Sequence, residues 1–247
     1  MSTKIILYDI PSRFGPFSGN SWRTRYALSY KKLPFSTVWV ELGDIAEVLS
    51  VAGAPTTGTW ADGRPKYTVP TIHDPKTSRH VAGGYEIACY LDETYPASPA
   101  LLPYGTAGLQ HLFVDALMDR IVSPGFPAML EGAFGLFNPS SAAYFRETRE
   151  KMWGKTLEDM FSDTVAVKKA WTGLKEGLDW LENTIKESGE GSMFLLGSTV
   201  TYGDLVIGST FKWLSIANPE RWEEVKKLNG GRWGRFMEFL RQYEDNA

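Results

Sequence analysis

The residues whose types and spacing carry the most chemistry lie in "FSGNSW" (Phe17–Trp22), where Ser18, Asn20 and Ser21 stand just before a helix start. Unpartnered N–H groups and the positive end of the helix dipole favour negative charge at such a place. A hydroxyl and an amide there stabilise a thiolate or other anion, because each donor favours the charged form. The same residue types also cap helices, so Asn20 or Ser21 as a plain N-cap is the competing reading. Ser18 and Ser21 stand at the spacing of a C-x-x-C pair, but with no cysteine at either place dithiol–disulfide exchange is excluded there.

A second candidate is "YTVPTI" (Tyr67–Ile72). A proline at the mouth of a β-branched run belongs either at a sheet edge or in a cis bond. The residues alone favour the edge proline; a cis Val69–Pro70 bond would turn the Val69 N–H and C=O towards a ligand. The third is "HVAGGYEIACYLDETYP" (His80–Pro96), a strand end, two glycines and a helix. A helix start can hold an anion on its backbone N–H groups. Gly83 and Gly84 bring no side-chain oxygen to it, yet they let a ligand approach closely. "TVTYGD" places Asp204 three residues after Thr201, a capping box that starts a buried helix and carries no chemistry.

Other signals are weak. His73, His80 and His111 are too scattered for a metal cluster, and His111 with Asp115 is a pair lacking a third ligand. No metal site is expected. "SYKK" (Ser29–Lys32) matches S-x-x-K without its partner motifs. Neither phosphate-binding glycine motif occurs. Cys89 reads as a small apolar filler.

The elements that must hold these residues change character along the chain. "KIILYDI" (Lys4–Ile10) reads as a buried strand, Ser21–Leu33 as a helix and Phe35–Leu42 as a second strand. "DIAEVLSVAG" gives a short helix, two short strands flank a turn at Asp74–Ser78, and a helix runs from Gly84 to Tyr95. The order is β-α-β-α-β-β-α. From Leu101 onward only helices are predicted. In the first, Phe113, Leu117, Arg120 and Ile121 share a side, and Pro124 and Pro127 interrupt it. Ser140–Phe161 reads as one helix. Val167, Trp171, Leu174, Leu178, Leu181 and Ile185 form a core-facing stripe in the next. Trp233, Phe236, Leu240 and Tyr243 mark the last. This is a mixed α/β half followed by an all-helical half, with expected bounds 1–97 and 108–247 and a linker at 98–107.

The totals bound the function. At 247 residues, 43% hydrophobic and 22% charged, the chain is an ordinary globular protein of one or two domains. A net charge of −3 argues against nucleic-acid binding. No run is long enough to span a membrane. The single Cys89 excludes an internal disulfide and fits a reducing compartment, so a cytoplasmic location is expected. Thirteen Phe, eleven Tyr and nine Trp suit a ring-rich core or a flat apolar pocket.

Taken in order over nearly the whole chain, these pieces resemble a glutathione transferase. The first half is similar to its thioredoxin-like domain, "TVP" to its cis-proline turn, "GYEIACYLDETYP" to its third helix and "TVTYGDLVI" to the capping box of its helical domain. "DIPSRFGPFSGNSWRTRYALSYKKLPFSTVWVEL", "YTVPTIHDP" and "GGRWGRF" resemble the etherase-related fungal class, FuA, whose relatives include bacterial β-etherases. The resemblance implies a homodimeric, intracellular detoxifying enzyme with glutathione as cosubstrate. It implies a serine-type site in which Ser18, helped by Asn20, holds the glutathione sulfur as thiolate. Val69 and Pro70 would pair with the cysteinyl part, and Gly83, Gly84 and Tyr85 would hold the γ-glutamyl end. An aromatic, often phenolic, electrophile would lie against Phe17, Phe113, Leu117 and Ile121. Where Gly83 and Gly84 stand, the family usually presents an acidic residue and then Ser, whose hydroxyl binds the γ-glutamyl carboxylate. That departure raises a second reading, a ligandin-like carrier of aromatic or polyphenolic compounds with weakened or lost glutathione binding.

Overall fold

The computed structural model describes residues 4–244; the chain ends included in the expected domain bounds, 1–3 and 245–247, lie outside them. The α/β half contains β1 (Ile5–Asp9), α1 (Gly19–Tyr30), β2 (Phe35–Trp39), α2 (Ile45–Val51), β3 (Thr71–Asp74), β4 (Arg79–Ala82) and α3 (Gly84–Thr94). The sheet order is β2-β1-β3-β4. β1 is parallel to β2, with Ile5 opposite Phe35, and antiparallel to β3, with Leu7 opposite Ile72; β3 and β4 are antiparallel. This is the predicted thioredoxin-like order.

The helical half comes next: α4 (Ala107–Leu117), a π-helical turn at Met118–Val122, α5 (Ser123–Phe134), α6 (Pro139–Trp153), α7 (Leu157–Ser162), α8 (Thr164–Lys186), α9 (Tyr202–Ala217), α10 (Pro219–Val225) and α11 (Leu228–Leu240). Two readings need correction here. Pro124 and Pro127 do not interrupt the helix, because the wider turn before them carries the chain straight into α5 with Pro124 in its first turn. Ser140–Phe161 is two helices: Gly154 ends α6 in the left-handed region, φ 66°, and the Thr156 hydroxyl accepts from Asp159 N to start α7.

α1 and α9 are central and buried. Trp22, Tyr26 and Leu28 of α1 pack in one core with Leu7 and Ile72 of the sheet, Leu205 and Leu214 of α9, and Leu174, Leu178 and Leu181 of the α8 stripe. The capping box holds α9 in place: Thr201 N and Oγ1 donate to Asp204 Oδ2 at 2.9 and 2.7 Å, and Leu195 N donates to Oδ1 at 2.9 Å. Burial raises the Asp204 carboxyl to about 6, against the pull of those three donors. A polar tie joins the two halves, where Glu41 beyond β2 accepts from Asn138 Nδ2 at 2.8 Å and from the Ser141 hydroxyl of α6.

Candidate active site

The loop before α1 is held from several sides. Trp22 Nε1 donates to Pro16 O at 3.0 Å, Ser12 Oγ donates to Gly15 O at 2.6 Å, and Arg13 N reaches Leu136 O at 3.4 Å. Ser18 itself is the N-cap, extended at φ −64° and ψ 118°, and its carbonyl accepts from Trp22 N at 2.8 Å. The helix starts at Gly19, so the plain-cap reading of Asn20 or Ser21 is set aside. The Ser18 hydroxyl makes no cap hydrogen bond either, and Ser18 lines an apolar cavity. Asn20 accepts at Oδ1 from Arg23 Nη2 at 2.7 Å. That bond fixes which way the amide points and leaves its Nδ2 hydrogens for another acceptor. A hydroxyl, an amide, a guanidinium and the start of a twelve-residue helix without an acid in its first turn therefore border the same cavity. Each favours an anion there.

Under this loop, Asp9 at the end of β1 accepts from Arg25 Nε at 3.0 Å and Nη2 at 2.9 Å, and Ile10 N donates to its other oxygen at 2.7 Å. The pair is 0% and 2% exposed. Partnered on both sides, it sets α1 against β1 and so sets where the loop emerges. Removing one partner of such a pair leaves an uncompensated charge in the core.

Beside Asn20 and Arg23 lies a polar cleft, bounded also by Val69, Pro70, Gly83, Gly84 and Glu86, with Thr57, Lys66 and Thr68 on its far wall. The Val69–Pro70 bond is cis, as the resemblance implied and contrary to the edge-proline reading from residues alone. The β3 ladder begins only at Thr71, so the Val69 amide and carbonyl are not part of it. Pro70 O accepts from Gly83 N at 3.1 Å, which brings the start of α3 to the same cleft. Gly83 is the N-cap of α3 at φ 97°, a conformation that L side chains rarely adopt, and it gives the helix no side-chain cap. Tyr85 does not face the cleft with its ring, which stacks on His111 of α4 with centroids 4.1 Å apart. Cys89 is half-buried on α3, and burial pushes its thiol up.

The apolar cavity opens between the halves. Phe17, 3% exposed, contacts Phe137 edge-on at 5.2 Å and forms one wall. The long helix contributes Met118, Val122, Phe126 and Leu130, and α9 contributes Thr210 and Trp213. Of the residues expected to line it, only Phe17 does. Leu117 and Ile121 are each 1% exposed in the main core, and Phe113 stacks on Trp180 at 6.0 Å behind Gly203. Asn20 and Arg23 line both the cleft and the cavity. Arg23 and Glu86 were missed by sequence reasoning, since nothing in the spacing of either marks it. Among the described residues, no group of three His, Cys, Asp or Glu is placed to hold a metal ion.

Comparison with known proteins gives consistent results for both halves. Residues 17–94 match the family described as Glutathione S-transferase, N-terminal domain, and residues 108–243 match Glutathione S-transferase, C-terminal domain. The crystal structure of glutathione transferase GSTFuA3 from Phanerochaete chrysosporium is 38% identical, with a TM-score of 0.92 over 98% of this chain and 97% of that one. A glutathione S-transferase of Ceriporiopsis subvermispora in complex with glutathione is 34% identical, with a TM-score of 0.93 over 98% of each chain. The Glutathione S-transferase-like protein ustS of Aspergillus flavus is 28% identical across 92% of this chain and 84% of its own length.

Proposed function

The chain belongs to the glutathione transferase family, and from that premise we infer that it is a transferase with a serine-type site, in which Ser18 and Asn20 hold the sulfur of glutathione as a thiolate facing an aromatic electrophile. One observation carries this reading: Asn20 and Arg23 border both the polar cleft and the apolar cavity, with Ser18 on the cavity side. A peptide lying along Val69 in the cleft would thus present its sulfur at the mouth of the cavity. Glutathione supplies the nucleophile. The chain's residues supply the rest. A free thiol titrates near about 8.5, so most of it is protonated at neutral pH. The Ser18 hydroxyl donates to the sulfur, the Asn20 Nδ2 amide donates alongside, and the positive end of α1 favours the anion.

Phe17, Phe126, Phe137 and Trp213 line the cavity with rings and suit a flat aromatic guest, such as a phenolic compound. With a halogenated nitrobenzene the sulfur–carbon bond forms, halide departs with the bonding pair and the thiol proton goes to solvent. The test is conjugation of that substrate, or of an isothiocyanate, with millimolar glutathione. Turnover well above the rate in buffer is expected, and a rate equal to buffer overturns the enzyme reading. The same rings favour the second reading, a carrier of aromatic compounds. A thermal shift with polyphenols and none with glutathione is the result that would select it.

A further inference from the structure

Besides Lys66, whose ammonium lies over the Trp60 ring 4.8 Å from its centroid, the polar cleft holds two charged side chains that form no ion pair among the described residues, Arg23 of α1 and Glu86 of α3. The one side-chain hydrogen bond of normal geometry made by Arg23 goes to Asn20, and its Nε is buried without one. Tyr202 lies against it, and burial pushes that phenol up to about 12 despite the guanidinium. A guanidinium is a five-donor fork suited to carboxylates, and with Nε turned into the protein beside Tyr202 and one Nη2 hydrogen on Asn20, the Nη1 edge is left for a ligand.

Gly83 and Gly84 are what admit these two side chains. A Cβ at 83 would collide with Glu86 Oε2 and stand 2.9 Å from its Cδ. A Cβ at 84 would collide with Arg23 Cδ and stand 2.9 Å from the Tyr202 hydroxyl. The volume that side chains at these positions would fill is therefore taken by the arm of Arg23 and the carboxylate of Glu86. The glycines and the two charges are one arrangement.

Resting on the reading that glutathione occupies this cleft, we propose that Arg23 and Glu86 form a two-charge receptor for the α-amino-acid end of its γ-glutamyl residue. The guanidinium takes the α-carboxylate and the Glu86 carboxylate takes the α-ammonium. Such an end carries one charge of each sign, and the cleft offers an uncommitted partner for each. Desolvating either partner alone is unfavourable, so a ligand lacking one charge is selected against. The recognition that a side chain at position 84 would have given by a hydroxyl is here given by a cation reaching across from α1.

Calorimetric titration of the full chain tests this with two ligands, glutathione and its analogue lacking the γ-glutamyl α-carboxylate. The wild-type protein is expected to bind glutathione about ten- to a hundredfold tighter than the analogue, the range for a hydrogen bond to a charged group. Arg23→Ala removes that preference: any cost that passes through Asn20 falls on both ligands alike, so the ratio of the two affinities is the readout. Glu86→Gln weakens both ligands, since both keep the ammonium. Gly84→Ser also weakens glutathione, by displacing Arg23, and regains affinity when combined with Arg23→Ala. Equal wild-type affinity for the two ligands overturns the receptor, as does an equal loss for both in Arg23→Ala, and unchanged glutathione affinity in Glu86→Gln removes its anionic half. If Arg23→Ala fails to fold, Arg23→Lys and the ligand comparison on the wild-type protein decide, with Lys expected to keep part of the preference. No glutathione binding by the wild-type protein overturns the transferase reading and this one together, whereas binding without discrimination overturns the receptor alone.

Discussion

At Ser18 the consequence of the geometry is a pH profile. If its hydroxyl holds the sulfur anion, Ser18→Ala removes a charge-assisted hydrogen bond worth roughly 1.5–3 kcal/mol, which equals about one to two pH units in the thiol's ionisation. Stopped-flow conjugation rates are expected to fall by about ten- to a hundredfold at pH 6.5. The loss closes as pH rises and the thiol ionises unaided. Affinity for an aromatic ligand should change little, because Ser18 is a minor part of a cavity wall built mainly from rings and aliphatic chains. A uniform loss at every pH would instead mean that Ser18 positions the loop. Arg23 shows why part of the site was hidden in the sequence: its relevance comes from the space left at Gly84 on another helix. Ser18, the N-cap of α1, and Asn20, in its first turn, were legible as candidates because a helix start is a local feature.

Among the elements, the segment around the π-helical turn at Met118–Val122 holds the largest difference between pattern and structure. Leu117 ends α4 just ahead of the turn and Ile121 lies inside it, and both pack into the core. Met118 and Val122 of the turn and Phe126 of α5, four residues apart, face the cavity instead. No residue type signals such a turn, and spacing alone does not say which of two apolar faces meets the cavity. The element order, the α8 stripe and the capping box were legible because each is fixed by short-range pattern, whereas the sheet order came only with the family resemblance. The same turn is packed against Gly177 of α8, where a Cβ would collide with Arg120 O and stand 2.8 Å from Ile121 Cγ1. Backbone cannot yield as a side-chain tip can. Gly177→Ala is expected to destabilise the protein by about 1–3 kcal/mol in urea unfolding, the usual cost of overpacking, with the aromatic cavity distorted in parallel.

Over the whole molecule, the α/β half supplies the polar cleft and the helical half most of the apolar cavity. Their relative placement therefore decides whether the two meet. Glu41 is one of the ties between them. Burial works against its ionisation, but hydrogen bonds from Asn138 and Ser141 outweigh this and hold the carboxyl below its usual range. A depressed pKa contributes stability above the unfolded value, about 4.5, and that contribution is lost as pH falls through the folded one. Thermal unfolding of Glu41→Gln should accordingly lie below that of the wild-type protein at pH 7 and converge with it in acid. A constant difference across pH would show that the tie acts through packing alone.

Asn20 and Arg23 belong to two rooms at once. A ligand in one room that resets either side chain changes what the other room must accept, and to that extent occupancy of the two is thermodynamically linked. Linkage is reciprocal: an aromatic guest that tightens glutathione must itself be tightened by the same factor, and a guest that displaces Arg23 must loosen it equally. Two side chains on one helix would thus make the order of ligand addition irrelevant to the final balance while making the identity of the first ligand decisive for the second.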